Sequence, residues 1–268
     1  MKRPPARLLI IAGSDSSGGA GLQADIKTAT ALGVYASTAV TAVTVQDTVA
    51  VHGIHYVPAF IVREQLACVL DDIGADAIKI GMLGSAEIVE AVAEVLHSVG
   101  KNIPIVLDPV LASTGGAPLL EEHAISSMKE WLFPLTTLLT PNIPEAETLS
   151  GIAISSTDDM RRAGEVLRAF GARAVLVKGG HSGAATIDDV LVDAQGERVF
   201  SSSRIDSRNT HGTGCTLSTA IACGLAQAIP LVEAIEHART FVQQAISAAP
   251  DFGRGRGPIN HLYRQHQN

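Results

Sequence analysis

Cys215 stands in "NTHGTGCTLS", where glycines at 212 and 214 give way to an apolar run. Glycines let successive backbone amides turn toward one point, and a helix that starts there adds the positive end of its dipole, so the segment suits an anion. A thiol in the first turn of such a helix is expected to have a lowered pKa. Three roles are open to it: a buried space-filler, a nucleophile that forms a covalent intermediate, or a general base beside a bound anion. Lys178 ends the apolar run of "AVLVKGG". A cation beside a core is costly unless it meets an anion, for which a phosphate is the natural partner, and the alternative is a lysine that snorkels at a sheet edge.

Oxygen donors occur in two further segments. Asp108 follows "IVL", and Asn142 and Glu145 lie in "TPNIPEAE". Carboxylate and amide oxygens at strand ends suit Mg²⁺, which keeps several waters and bridges to phosphates. Asn142 and Glu145 read equally well as a helix N-cap and its capping-box partner, and the two readings are compatible. "AGSDSSGGAGLQAD" carries glycines at 18, 19 and 21 and is neither a Walker A sequence nor a dinucleotide fingerprint. It permits close approach to a ligand or simply caps a helix, with Asp25 as a dipole-complementing carboxylate. The histidines form no metal motif; His181 and His211 flank the presumed phosphate site as hydrogen-bonding scaffold, and Cys223 reads as core.

The elements that must hold these groups alternate along the chain. "LLIIA", "AIKIG", "IVLDP", "LLTPN" and "AVLVKGG" are short buried-strand patterns, separated in several places by helical ones such as "SAEIVEAVAEVLHSVG" and "TDDMRRAGEVLRAFG". This predicts βαβ units on a mostly parallel sheet, with "TIDDVLVDAQGERVFSSSRI" as an antiparallel edge hairpin and two closing helices over 214–228 and 231–248. The polar tokens follow the strands, so they converge on the carboxyl edge of the sheet, where open α/β sheets bind ligands. The glycine- and arginine-bearing tail from Asp251 is expected to be a mobile terminus.

Composition narrows the function classes. A net charge of −7 leaves no broad basic surface for a nucleic-acid backbone, so an anionic ligand must be held locally. Three unpaired cysteines and no signal-like or membrane-spanning run predict a cytoplasmic protein, read as one domain over residues 1–268.

"AGSDSSGGAGLQADIKT", "KIGML", "LDPV", "TPNIPEAE", "VKGGH" and "NTHGTGCTLS" resemble, in order and spacing over nearly the whole chain, the hydroxymethylpyrimidine/phosphomethylpyrimidine kinases of the ribokinase superfamily. The resemblance implies a three-layer α/β/α sandwich, usually a homodimer, that uses ATP and Mg²⁺ to phosphorylate 4-amino-5-hydroxymethyl-2-methylpyrimidine and then its monophosphate. Carried over by motif, Gly13, Asp25, Gln46, Met82 and Val110 would form the pyrimidine pocket. Asp108 and Glu145 would organise the metal, while Asn142, Thr210, Thr213 and Lys178 would serve the nucleotide. Lys178 would also neutralise charge on the transferring group, and the amides of Gly212 to Cys215 would cradle developing oxyanions. Much of the superfamily has aspartate where this chain has Cys215, which leaves its role as base or positioning group open. A pyridoxal kinase of the same superfamily, a cysteine-dependent hydrolase or acyl transferase and a non-catalytic binding protein are the alternatives.

Overall fold

The computed structural model describes residues 4–99, 103–113, 115–180 and 185–263. Its nine strands form one sheet. In chain order the strands and main helices are β1 (Arg7–Asp15), α1 (Gly21–Ala31), β2 (Tyr35–Gln46), β3 (Val51–Tyr56), α2 (Ala59–Asp72), β4 (Ala77–Ile80), α3 (Ala86–Val99), β5 (Ile105–Leu107), α4 (Glu122–Ser127), β6 (Leu138–Leu139), α5 (Ile143–Ser150), α6 (Thr157–Ala169), β7 (Ala174–Val177), β8 (Thr186–Asp193), β9 (Gly196–Ser203), α7 (Thr213–Ala226) and α8 (Leu231–Ser247). The spatial order is β3-β2-β1-β4-β5-β6-β7-β8-β9.

Period-two alternation explains the layers. On β1, Leu8 and Ile10 pack against Leu22 of α1, Leu217 and Ile221 of α7 and Phe241 of α8. Leu9 and Ile11 point the other way, toward Val62 and Leu66 of α2, Ile88 and Val92 of α3 and Leu167 of α6. Residues 8–12 are almost wholly inaccessible because both faces of the sheet are covered, which is why these strands read as continuous apolar runs. The result is the three-layer, ribokinase-like sandwich that the alternation and the resemblance imply.

Pairing is parallel from β2 through β7. The hairpin expected after Lys178 is present as antiparallel β8–β9, itself antiparallel to β7. A second antiparallel pair, β2–β3, closes the opposite edge. The uncharged stretch before Asp47 divides at Gly33, whose φ of +73° ends α1 and leads into β2. No helix among the described residues is long and apolar enough to cross a membrane.

The tail corrects its sequence reading. Arg256 N–H donates to Thr48 O at 2.9 Å, and His211 N–H donates to Gly257 O at 3.1 Å. Ile259, His261 and Tyr263 are buried, and Tyr263 meets Phe241 with ring centroids 5.4 Å apart. His261 Nε2 pairs with Thr216 Oγ1 at 2.9 Å, on the first turn of α7. The glycine- and arginine-rich composition conceals an apolar "INHLY" anchor that ties the tail to the sandwich.

Candidate active site

Five segments meet at the carboxyl edge of the parallel strands. Lys178, just past β7, forms an isolated parallel bridge with Asn142 after β6, and its N–H donates to Pro141 O at 2.8 Å. Its Nζ reaches across to Asp108 Oδ1, beyond β5, at 2.7 Å. Thr140 Oγ1 donates to the same carboxylate oxygen at 3.2 Å and lies 3.1 Å from Ser218 Oγ, which donates to Gly214 O at 2.9 Å. Hydrogen bonds thus link the start of α7 to the carboxylate just beyond β5.

Gly214 shows how closely this junction approaches the ion pair. A Cβ there would lie 3.3 Å from Lys178 Nζ and 3.8 Å from Asp108 Oδ2. The glycine-rich start of α7 and the Lys178–Asp108 pair therefore share one small volume. Gly212, the N-cap of α7, has φ +82°, and a Cβ on it would fall 1.8 Å from Gly19 O. The two glycine loops are consequently pressed backbone to backbone. Asp15 holds the second of them, accepting from the amides of Ser17, Gly19 and Ala20 and from His211 Nε2 at 2.8 Å.

The capping reading of Asn142 and Glu145 is realised. Asn142 Oδ1 accepts from Glu145 N–H at 2.9 Å, and Glu145 Oε2 accepts from Asn142 N–H at 2.8 Å, so α5 starts on a full capping box. Burial pushes the Glu145 carboxyl up to about 7, with Asp108 adding to the rise and Lys178 and the Asn142 amide opposing it. Burial also works against charge on Asp108, but Lys178, then Lys79, outweigh it and hold Asp108 below the usual carboxylate range. Two carboxylates that disfavour each other's charge are a donor set whose chemistry an added dication would suit, although Lys178 already occupies Asp108 Oδ1 and no group of three or more His, Cys, Asp or Glu stands together among the described residues.

On the opposite side lies an apolar floor. A Cβ on Gly13 would touch Met82 Sδ at 3.0 Å, and Met82 packs with Ala42 and Leu119, flanked by Val110. Thr41 Oγ1 donates to Met82 O at 2.6 Å and fixes that loop. Gln46, at the end of β2, accepts from Thr44 Oγ1 at 3.0 Å, and its Nε2 lies 3.5 Å from the His211 imidazole. A cavity of about 180 Å³ opens beside Gln46 and His211, bounded by Val51, Ser113 and Arg256. Thr210 O accepts from Thr213 Oγ1 at 3.1 Å, so these two partly buried threonines form the turn that leads into α7.

Two sequence-based expectations need correction. Asp25 does not line an open pocket: it is completely buried, accepting from Lys79 Nζ and Thr219 Oγ1 at 2.7 Å each. The thiol of Cys215 is not lowered, although the residue is partly exposed. Burial pushes it up to about 11, against the lowering pull of Lys79 and of the Gly21 amide, because Asp25 and Asp108 add to the rise. His181, read as scaffold, lies outside the described residues. Sequence reasoning gave no role to Lys79 or Asp15; a lysine inside the apolar "AIKIG" was the one signal for the former.

Residues 15–260 match the family model of phosphomethylpyrimidine kinase. The thiamine biosynthesis bifunctional protein ThiED of Geobacter sulfurreducens is 50% identical over 97% of this chain, which spans about half (53%) of that longer relative. The hydroxymethylpyrimidine/phosphomethylpyrimidine kinase of Streptomyces coelicolor is 45% identical, with 96% of this chain and 94% of that one covered. Among solved structures, the ADP complex of Bacillus subtilis pyridoxal kinase is similar with a TM-score of 0.89 and 36% identity, over 97% of this chain and 99% of that one. With a family model covering most of the chain and a full-length relative at this identity, the chain belongs to the phosphomethylpyrimidine kinase family.

Proposed function

We propose that this chain, acting as a single domain, is a phosphotransferase of thiamine biosynthesis. It transfers the γ-phosphoryl group of ATP to the hydroxymethyl oxygen of 4-amino-5-hydroxymethyl-2-methylpyrimidine and then to the phosphate of the product. The observation that carries the reading is the volume at Gly214, where helix-end amides, an ammonium and a carboxylate converge within a few ångströms of a missing side chain. Phosphoryl transfer asks a protein mainly for position and for charge stabilisation, and these are the groups it needs.

The chain's own residues divide the work. Gly13, Met82 and Val110 would receive the flat face of the pyrimidine, and Gln46 would bond its polar edge. Lys178 would balance negative charge on the transferring group, with Asn142, Thr210 and Thr213 toward the nucleotide, while the amides of Gly212 to Cys215 meet oxygens that gain charge. When bound, Mg²⁺ supplies positive charge among the phosphate oxygens, and Asp108 and Glu145 are the side chains that would hold it. Cys215, with a thiol raised to about 11, would stand beside the acceptor oxygen as a resting thiol rather than a stored thiolate. A loose transition state places little demand on early removal of the hydroxyl proton, so Cys215, itself protonated, would position the acceptor, and the hydroxyl proton would leave late, to an oxygen of the transferred phosphoryl group.

Exposed Tyr35, Val43 and Val45 on β2 and Phe60 on α2 support a homodimer assembled at the β2–β3 end of the sheet. A cytoplasmic setting suits three free cysteines. The likeness to a pyridoxal kinase favours one second reading, the same transfer to pyridoxal. Purified protein with ATP, with and without Mg²⁺, is offered the pyrimidine alcohol, its monophosphate or pyridoxal, and ADP release is followed. Metal-dependent turnover on both pyrimidines supports the proposal; turnover on pyridoxal alone replaces it with the second reading, and none on any of the three rejects both.

A further inference from the structure

Lys79 is a charged residue in the middle of a strand buried on both faces. It is among the largest side chains with no accessible surface, and its partner Asp25 is as fully buried. The pair joins three elements: Lys79 from β4, Asp25 from α1 and, through the second carboxylate oxygen, Thr219 from α7. Thr219 lies one turn beyond Cys215, on the same face of the helix that begins at the glycine nest. The Nζ is turned toward the ligand edge, because a Cβ on Gly81, just past β4, would lie 2.8 Å from it. A buried ion pair is weak evidence for stability, since apolar residues of similar volume commonly serve as well. Its position under the site calls for another account.

We propose that Lys79 is a positioning residue of this site, a cation sealed beneath the glycine nest that maintains positive potential at Cys215, with Asp25 and Thr219 fixing where its ammonium stands. The inference rests on the kinase reading for its purpose, but not for its test. Burial opposes charge on Lys79, yet Asp25, and after it Cys215 and Asp108, outweigh burial and hold Lys79 above its ordinary value; burial raises the Asp25 carboxyl against the pull of Lys79, and the 2.7 Å contacts from Lys79 Nζ and Thr219 Oγ1 to its two oxygens favour the ionised pair. The charged groups that face Cys215 are Lys79 from β4, Asp25 from α1, Asp108 beyond β5 and Lys178 beyond β7. Of these, Lys79 and Asp25 act with opposite sign and have no surface with which to touch a substrate.

That opposition makes the proposal testable without substrate, nucleotide or metal. The rate of iodoacetamide alkylation at Cys215 is followed by peptide mass mapping at one mildly alkaline pH in wild type, Lys79→Met and Asp25→Asn. Alkylation rate follows the thiolate fraction, so a pKa change of one unit is about tenfold in rate. Lys79→Met is expected to slow alkylation by about tenfold and Asp25→Asn to accelerate it by a similar factor. A purely structural pair would move both variants in the same direction, as loosening of α7 exposes the thiol, or would move neither, and either result overturns the proposal. If Lys79→Met does not fold, the near-isosteric Asp25→Asn decides alone: faster alkylation at an unchanged Tm supports the proposal, and an unchanged or slower rate overturns it. With substrates present, Lys79→Met is expected to lower kcat with little change in the KM for ATP, a separate result whose failure would bear on the kinase reading instead.

Discussion

Acidification is expected to loosen the start of α7 through a single imidazole, that of His261. The residue is 4% exposed, bonded to Thr216 Oγ1, and burial, with a smaller contribution from Lys27, pushes its pKa from 6.5 down to about 4. The unfolded chain protonates near 6.5 and the folded one near 4, so between those values the unfolded state binds the extra proton and stability falls as pH falls. The contribution is therefore present in full above about pH 6.5 and exhausted below about pH 4. A gap of about 2.5 units corresponds to about 3 kcal/mol in total, of which about 2 kcal/mol is lost between about pH 7.5 and pH 5. Glu145, raised to about 7, titrates in the same window with the opposite sign, because its folded form binds the proton first. The informative quantity is therefore the difference between wild type and His261→Gln. Urea unfolding of both at the two pH values is expected to show a wild-type loss about 2 kcal/mol larger than that of the variant. Equal losses would mean that His261 is not held neutral and that the tail is not sealed against α7.

Lys178→Ala is expected to reduce kcat for pyrimidine phosphorylation by about 100-fold or more while KM for the pyrimidine changes little, whereas Gln46→Leu raises KM and spares kcat. Steady-state kinetics of both variants check this, and identical profiles would dissolve the division between phosphate side and substrate side. Gly212→Ala combines a positive φ with a clash against Gly19 O, so a Tm drop of several degrees together with loss of turnover is expected in a thermal melt and an ADP-release assay. In the native wild type at neutral pH, iodoacetamide should mark exposed Cys68 first, then Cys215, and leave Cys223 intact, as read by peptide mapping. Prior labelling of Cys215 would mean that its thiol is not raised by burial.

The parallel core of the sheet was legible because its strands are short, apolar and buried on both faces, as "LLIIA" and "AVLV" illustrate, and because polar residues follow each of them. Asp108, Asn142, Glu145 and Lys178 could be assigned to one edge from that order alone. The β2–β3 pair was harder to read: exposed Val43 and Val45 interrupt the alternation that marks a half-buried hairpin, and the turn between the strands is held by Asp47 and by the tail. The anchoring of that tail depends on Ile259, His261 and Tyr263 meeting surfaces more than ten residues away, which no local pattern contains. Asp25 was misplaced for a related reason. Its position near the start of a helix suggests solvent or ligand, and only the fold shows that the side chain ends on a lysine from a neighbouring strand.

The Cys215 thiol shows the same limit in energetic terms. A helix N-terminus lowers a thiol's pKa when the thiol is free to trade water for amides, and the sequence identifies the helix but not the water. Around Cys215 the glycine loops pack backbone to backbone and two carboxylates stand nearby, so desolvation and like charge exceed what the amides return. A bound anion would be drawn by the same amides and by Lys178, and its charge would raise the thiol further, which argues against a thiolate as the resting nucleophile and for a thiol that meets its substrate protonated. Intact mass measured during turnover separates these directly: a phosphorylated or acylated wild-type chain would establish covalent catalysis, whereas an unmodified mass beside a large loss of kcat in Cys215→Ala is the outcome this electrostatic arrangement leads to.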